Sequence, residues 1–97
     1  MLEKQYLDDE FCEVTFILPT EIQARTAYLV GEFNAWERAG TPLLQQEDGT
    51  WRVTLKLEAG REYQYRYLVN GQDWHNDWNA DKYVAHPYGG ENSVVVT

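Results

Sequence analysis

Cysteine is almost absent from this chain: Cys12 stands alone, so no internal disulfide can form. Serine occurs once, at Ser93, and histidine twice, at His75 and His86. Nucleophilic and metal-binding chemistry therefore has little to draw on. No apolar run approaches the length of a membrane span, and "LEKQYLDDE" after Met1 lacks signal-peptide character. With the lone cysteine, this leads to the expectation of a reducing, cytoplasmic setting and no membrane partner. Cations are scarce too, with 8 Lys and Arg against 16 Asp and Glu. The net charge of −8 and the scatter of the basic residues argue against nucleic acid, while a neutral ligand pays no electrostatic penalty.

What is present is strand signal. "CEVTFIL" (12–18) sets Cys12, Val14, Phe16 and Leu18 against Glu13, Thr15 and Ile17, and stops at Pro19. "TAYLVGEF" (26–33) is a second apolar run. "TWRVTLKLEAG" (50–60) alternates cleanly between Asp48-Gly49 and Ala59-Gly60. "REYQYRYLVNG" (61–71) places Tyr63, Tyr65 and Tyr67 on one face and ends in Asn70-Gly71, a pair suited to a type I′ turn. "NSVVVT" (92–97) supplies a last strand. No stretch of ten residues has helical periodicity with caps. The expectation is an all-β chain folded as an immunoglobulin-like antiparallel β-sandwich. In it, 11–97 form a single domain and 1–10 a loosely attached arm.

Candidate chemistry fails on spacing. Asp77, Asn79 and Asp81 imitate the start of a calcium loop, but Lys82 replaces its glycine and Tyr88 its bidentate glutamate. The histidines lack cysteine partners at zinc spacing. "YGGEN" (88–92) opens no helix and carries no Lys-Ser/Thr, so it is no phosphate loop. Ser93 has no nucleophile elbow, and Cys12 shares a face with Val14 and Phe16 as a buried thiol would. No cofactor or catalytic set is expected.

Aromatic residues make up 14% of the chain. Trp51, Phe33 and the tyrosines of 61–71 have core positions by pattern, with the tyrosine hydroxyls reaching the rim. Trp36, Trp74 and Trp78 have none, because all three lie in polar connections. Two roles remain open for them: plugs at the end of a small sandwich, or exposed platforms for a flat, hydroxylated ligand. A sugar offers one C–H face to an indole and rim hydroxyls to in-plane groups, here Asn34, Arg66, Gln72 or Asn92.

The order "AYLVGEFNAW", "DGTWRVTLKLEAGREYQYRYLVNG", a tryptophan followed by "ND", and "YGGENSVVV" resembles carbohydrate-binding modules of family 48 from about Val14 to Val96. These are the glycogen-binding domains of AMP-activated kinase β subunits and the early-set N-terminal domains of isoamylases and branching enzymes. The resemblance implies an early-set sandwich that binds α-1,4-linked glucans and is not itself an enzyme. A glycan-metabolising enzyme or kinase subunit is the implied protein partner. Trp36 and Trp74 then match the two platform tryptophans, with Asp73 an extra residue before the second. Arg66 stands where the kinase modules carry a lysine, Asn92 on their hydroxyl-binding asparagine and Tyr88 on a leucine that reaches into the glucan turn. Gly90 replaces a threonine contact, and Trp78 departs from the usual proline. The alternative is an early-set interaction domain that has lost glucan binding, with its tryptophans as interface anchors.

Overall fold

A computed structural model describes residues 1–87 and 89–97. Among these residues ten strands follow one another: β1 Leu2–Tyr6, β2 Phe11–Leu18, β3 Ala27–Gly31, β4 Thr41–Pro42, β5 Leu44–Gln45, β6 Trp51–Glu58, β7 Glu62–Val69, β8 Asp73–His75, β9 Lys82–Ala85 and β10 Glu91–Val96. One short 3-10 turn, Glu32–Asn34, follows β3. All pairings are antiparallel, in two sheets of order β1-β2-β6-β5 and β4-β3-β7-β10-β9, with β8 also paired to β7. The fold is the expected immunoglobulin-like, early-set sandwich.

The five strands legible in the sequence are β2, β3, β6, β7 and β10, each within two residues of its expected bounds. Residues 1–10, expected as a loosely attached arm, instead carry β1, whose five residues pair in register with β2 from Leu2–Phe16 to Tyr6–Cys12. The expectation failed because β1 is polar: only Leu2 is even partly buried, and backbone pairing rather than alternation makes it a strand. The short strands β4, β5, β8 and β9 were also invisible, since two to four residues give no period to read.

The core lies between the sheets. Cys12, Val14, Phe16 and Leu18 of β2 meet Leu29, Tyr65, Tyr67, Val69 and Val95 of the other sheet. Phe16 packs edge-on to Tyr65 with centroids 5.0 Å apart, and Phe33 and Trp51 close against this cluster from its margin. Val30, Leu68 and Val94, on the outer face of the second sheet, are buried too, outside that cluster.

The tyrosine hydroxyls correct the expectation that they reach the rim. Tyr65 and Tyr67, both fully buried, donate to Oδ2 of Asp77 at 2.8 and 3.1 Å. Asp77 Oδ1 accepts from the Asn79 amide at 2.9 Å and from the Met1 α-ammonium. The Asp77 amide donates to Ser93 Oγ at 2.8 Å, and its carbonyl accepts from the Tyr83 hydroxyl. A buried carboxylate is tolerable only with this degree of satisfaction. Asp77→Ala is therefore expected to destabilise the fold by about 3–5 kcal/mol, read as a lower urea midpoint.

The same network sets an alkaline limit. Burial, reinforced for both by the Asp77 carboxylate, raises the Tyr65 and Tyr67 hydroxyls far above the usual tyrosine value near 10. In the unfolded chain both ionise near that value, so above it the unfolded state binds fewer protons than the native one. Stability should thus hold below about pH 10 and fall above it by up to about 1.4 kcal/mol per pH unit for each tyrosine. Denaturant titrations from pH 8 to 11 check this, and Tyr67→Phe should about halve the slope; an unchanged midpoint to pH 11 would contradict it.

Candidate functional site

The site forms on the outer face of the second sheet, where β7 changes neighbours. β10 pairs with β7 through Tyr65, and β8 takes over at Tyr67. Arg66 sits between, opposite Val30 of β3, with its side chain on the outer face. Its Nε and Nη2 donate to the Glu91 carbonyl at 3.1 and 2.7 Å, and that carbonyl also accepts from Asn76 Nδ2 at 2.8 Å. The guanidinium is thus held at the junction by a neutral acceptor.

The loop after β3 supplies Trp36. Asn34 organises it: Oδ1 accepts from the Gly31 amide at 3.0 Å, and Nδ2 donates to the Leu29 carbonyl at 2.8 Å and Thr41 Oγ1 at 3.4 Å. Asn34, considered above as a sugar contact, is therefore consumed by the loop itself. Gly31 and Gly40 are required by close approach. A Cβ on Gly31 would lie 2.5 Å from the Gln64 carbonyl, and one on Gly40 2.4 Å from Asn34 Nδ2. The 3-10 turn is followed by Ala35 and Trp36, both left-handed, at φ 56° and 59°. For a tryptophan this is a strained backbone, held by the Trp36 amide donating to the Gly31 carbonyl at 2.9 Å. The ring is left 39% exposed.

Trp74 arrives on β8, directly opposite Leu68, and is 42% exposed. The turn before it has Asn70 and Gly71 at φ 54° and 75°, with the Gln72 amide bonded to the Val69 carbonyl, as a mirror-image turn needs. Asn70 Oδ1 also accepts from the Arg25 amide at 2.6 Å, tying this hairpin to the start of β3. Arg38, from the Trp36 loop, lies over the Trp74 ring at 5.8 Å and donates to the Gly71 carbonyl at 3.4 Å. It links the two tryptophan-bearing segments.

Trp36, Arg38, Arg66, Trp74, His86 and Asn92 line one open hollow of about 350 Å³. Four of the five residues expected at a site, Trp36, Trp74, Arg66 and Asn92, thus share one surface. Tyr88 lies outside the described residues. Asn92 is buried, donates from Nδ2 to Gln64 Oε1 at 2.9 Å, and leaves Oδ1 without a partner among the described residues. Gln72 and Trp78 are not in the lining; Trp78 is 58% exposed beside Asp77. Arg38 and His86 went unforeseen, because no period or motif ties a loop arginine or a histidine after β9 to β7. Among the described residues, no cluster of His, Cys, Asp and Glu fits a metal ion, and no helix is long and apolar enough to cross a membrane.

An early-set sandwich with an open, aromatic-lined hollow on one sheet has the architecture of a binding module. The chain belongs to the family described as the glycogen recognition site of AMP-activated protein kinase, whose model matches residues 14–96; these are carbohydrate-binding modules of family 48. A 46-residue stretch is 39% identical to part of the 1,4-alpha-glucan branching enzyme GlgB of Aquifex aeolicus (strain VF5), covering 44% of this chain and 7% of the enzyme. In fold, the chain is similar to the enterobactin esterase FES of Shigella flexneri. Structures with enterobactin and with 2,3-di-hydroxy-N-benzoyl-serine give TM-scores of 0.75 and 0.72 at 14% and 17% identity. Each likeness covers 98% of this chain and 32% of the esterase. The chain thus spans only a small part of the branching enzyme and about a third of the esterase.

The loop geometry is testable. Asn34→Ala leaves the Gly31 amide and Leu29 carbonyl without their partner, and should cost about 1–3 kcal/mol. Gly40→Ala should act in the same direction by pushing Asn34 aside. Denaturant midpoints measure the cost, and limited proteolysis at 34–40 should accelerate in both variants; midpoints equal to the parent's would refute the loop's dependence on Asn34.

Proposed function

We propose that this domain is a non-catalytic module that binds α-1,4-linked glucans, such as glycogen and maltooligosaccharides, through Trp36 and Trp74. The observation that carries the reading is the convergence of these two rings with Arg66 and Asn92 on one open hollow. They come from separate segments, and their exposure follows from specific backbone devices rather than from chance. The C–H faces of successive glucose rings pack on the indoles. The Arg66 guanidinium donates to rim hydroxyls, and Asn92, in the lining of the same hollow, supplies the second polar contact. Family membership and the partial likeness to a branching enzyme support α-glucan as the ligand class.

A shallow, wet site of this size binds weakly, with a dissociation constant between about 1 μM and 1 mM. In a larger assembly, the domain serves to hold a glycan-metabolising enzyme or kinase subunit on its polymer in the cytoplasm. Tryptophan fluorescence titrated with β-cyclodextrin and maltoheptaose, with cellohexaose as control, tests the reading. Saturable change with the α-glucans alone is expected. Trp36→Ala and Trp74→Ala should each weaken binding by about 1–3 kcal/mol, the scale of ring stacking on aromatics. For Trp36→Ala the melting temperature should hardly move, because the ring is outside the core. No response to any sugar at millimolar concentration would overturn the reading in favour of a protein-interaction domain with the rings as anchors.

A further inference from the structure

The electrostatics of the hollow do not match those of the rest of the chain. Overall the chain carries twice as many acids as Lys and Arg, at net charge −8. Elsewhere four of the six cations pair with acids, Lys4 with Asp81, Arg52 with Glu3 and Asp48, Arg61 with Glu58 and Lys82 with Glu62; Lys56 lies over the Phe11 ring, and Arg25 has no ion pair among the described residues. In the hollow the pattern reverses. Arg38 and Arg66 both line it with His86, and no carboxylate is among the described lining residues. Neither arginine pairs with an acid among the described residues. Arg38 is held by the Trp74 ring and the Gly71 carbonyl, and Arg66 by the Glu91 carbonyl. Acids on the flanking segments, Glu32, Glu37, Asp73 and Glu91, are all outside the lining. The Glu32 carboxylate accepts from the Gln64 amide.

Neutral hydroxyls do not require two uncompensated guanidinium groups in one small site, since amides or a single cation would serve. Orienting two arginines with carbonyls and an aromatic face keeps their charge available while fixing their forks. We propose that the hollow prefers a glucan carrying an anionic substituent, a phosphate monoester on a glucose hydroxyl, over the neutral chain. The tryptophans hold the sugar face, and the Arg38 and Arg66 forks meet the phosphate oxygens. The inference rests on the α-glucan reading and adds the charge of the ligand to it.

The test compares a maltooligosaccharide bearing one phosphate monoester with the neutral oligosaccharide of equal length, by calorimetry at low salt, with inorganic phosphate as a third ligand. Binding of the phosphorylated sugar about tenfold tighter is expected, the size of one or two partly exposed charge pairs. The preference should vanish in about 1 M salt, where the screening length falls to about 3 Å. Arg38→Gln should lower the ratio of the two affinities, whereas Arg38→Lys should keep most of it. That ratio separates charge recognition from any change in how Trp74 is held. Equal or weaker binding of the phosphorylated sugar, with the neutral one still bound, would overturn this inference and leave the glucan reading standing. Inorganic phosphate bound as tightly as the phosphorylated sugar would also overturn it, since the hollow would then be a general anion site. Failure of both sugars would remove the glucan reading and this inference together.

Discussion

The Asp77 carboxylate, enclosed between the sheets, is the constraint from which the binding face follows. It takes the hydroxyls of Tyr65 and Tyr67, and its own amide is fixed on Ser93 of β10. From there the hydrogen bonds continue outward. Ser93 Oγ donates to Asn76 Oδ1, Asn76 Nδ2 to the Glu91 carbonyl, and that carbonyl receives the Arg66 guanidinium. A chain of satisfied polar groups thus runs from the core to the surface. The segment after Trp74 cannot shift without leaving a buried charge unpaired.

Around that frame, the hollow is assembled from loops with their own local logic. The Trp36 loop depends on one asparagine and two glycines with no room for a side chain, and it accepts a left-handed tryptophan. The Trp74 hairpin depends on two positive-φ residues and on the Asn70 side chain reaching the start of β3. Arg38 joins the two. Strain of this kind persists where surrounding contacts over-determine it, which suits a site whose shape must exist before its ligand arrives.

The hollow is open and the chain spans a small fraction of the branching enzyme it partly resembles. On the proposed function, weak contact with a polymer would suit a domain that localises other activities, since weak sites gain strength when several engage one polymer.

Much of this was legible in the residues. Alternation in 12–18, 50–60 and 61–71 marked the long strands, because a half-buried sheet imposes a period of two. The polar settings of Trp36 and Trp74 marked them as rings without a core place, and the motif order marked the family. Other features required the folded chain. The polar strand β1 is fixed by backbone pairing with β2 and a few side-chain contacts, and its side chains show no apolar period. Asp77 looked like a stray calcium-loop residue until the tyrosines of β7 closed on it. Arg38 and His86 enter the hollow from the loop after β3 and the segment after β9, and Trp78 stays out of it for all its likeness to Trp74 in sequence. Local pattern determines which faces are apolar and where the chain turns. Which loops meet is decided by strand order and register, through contacts between residues far apart in sequence.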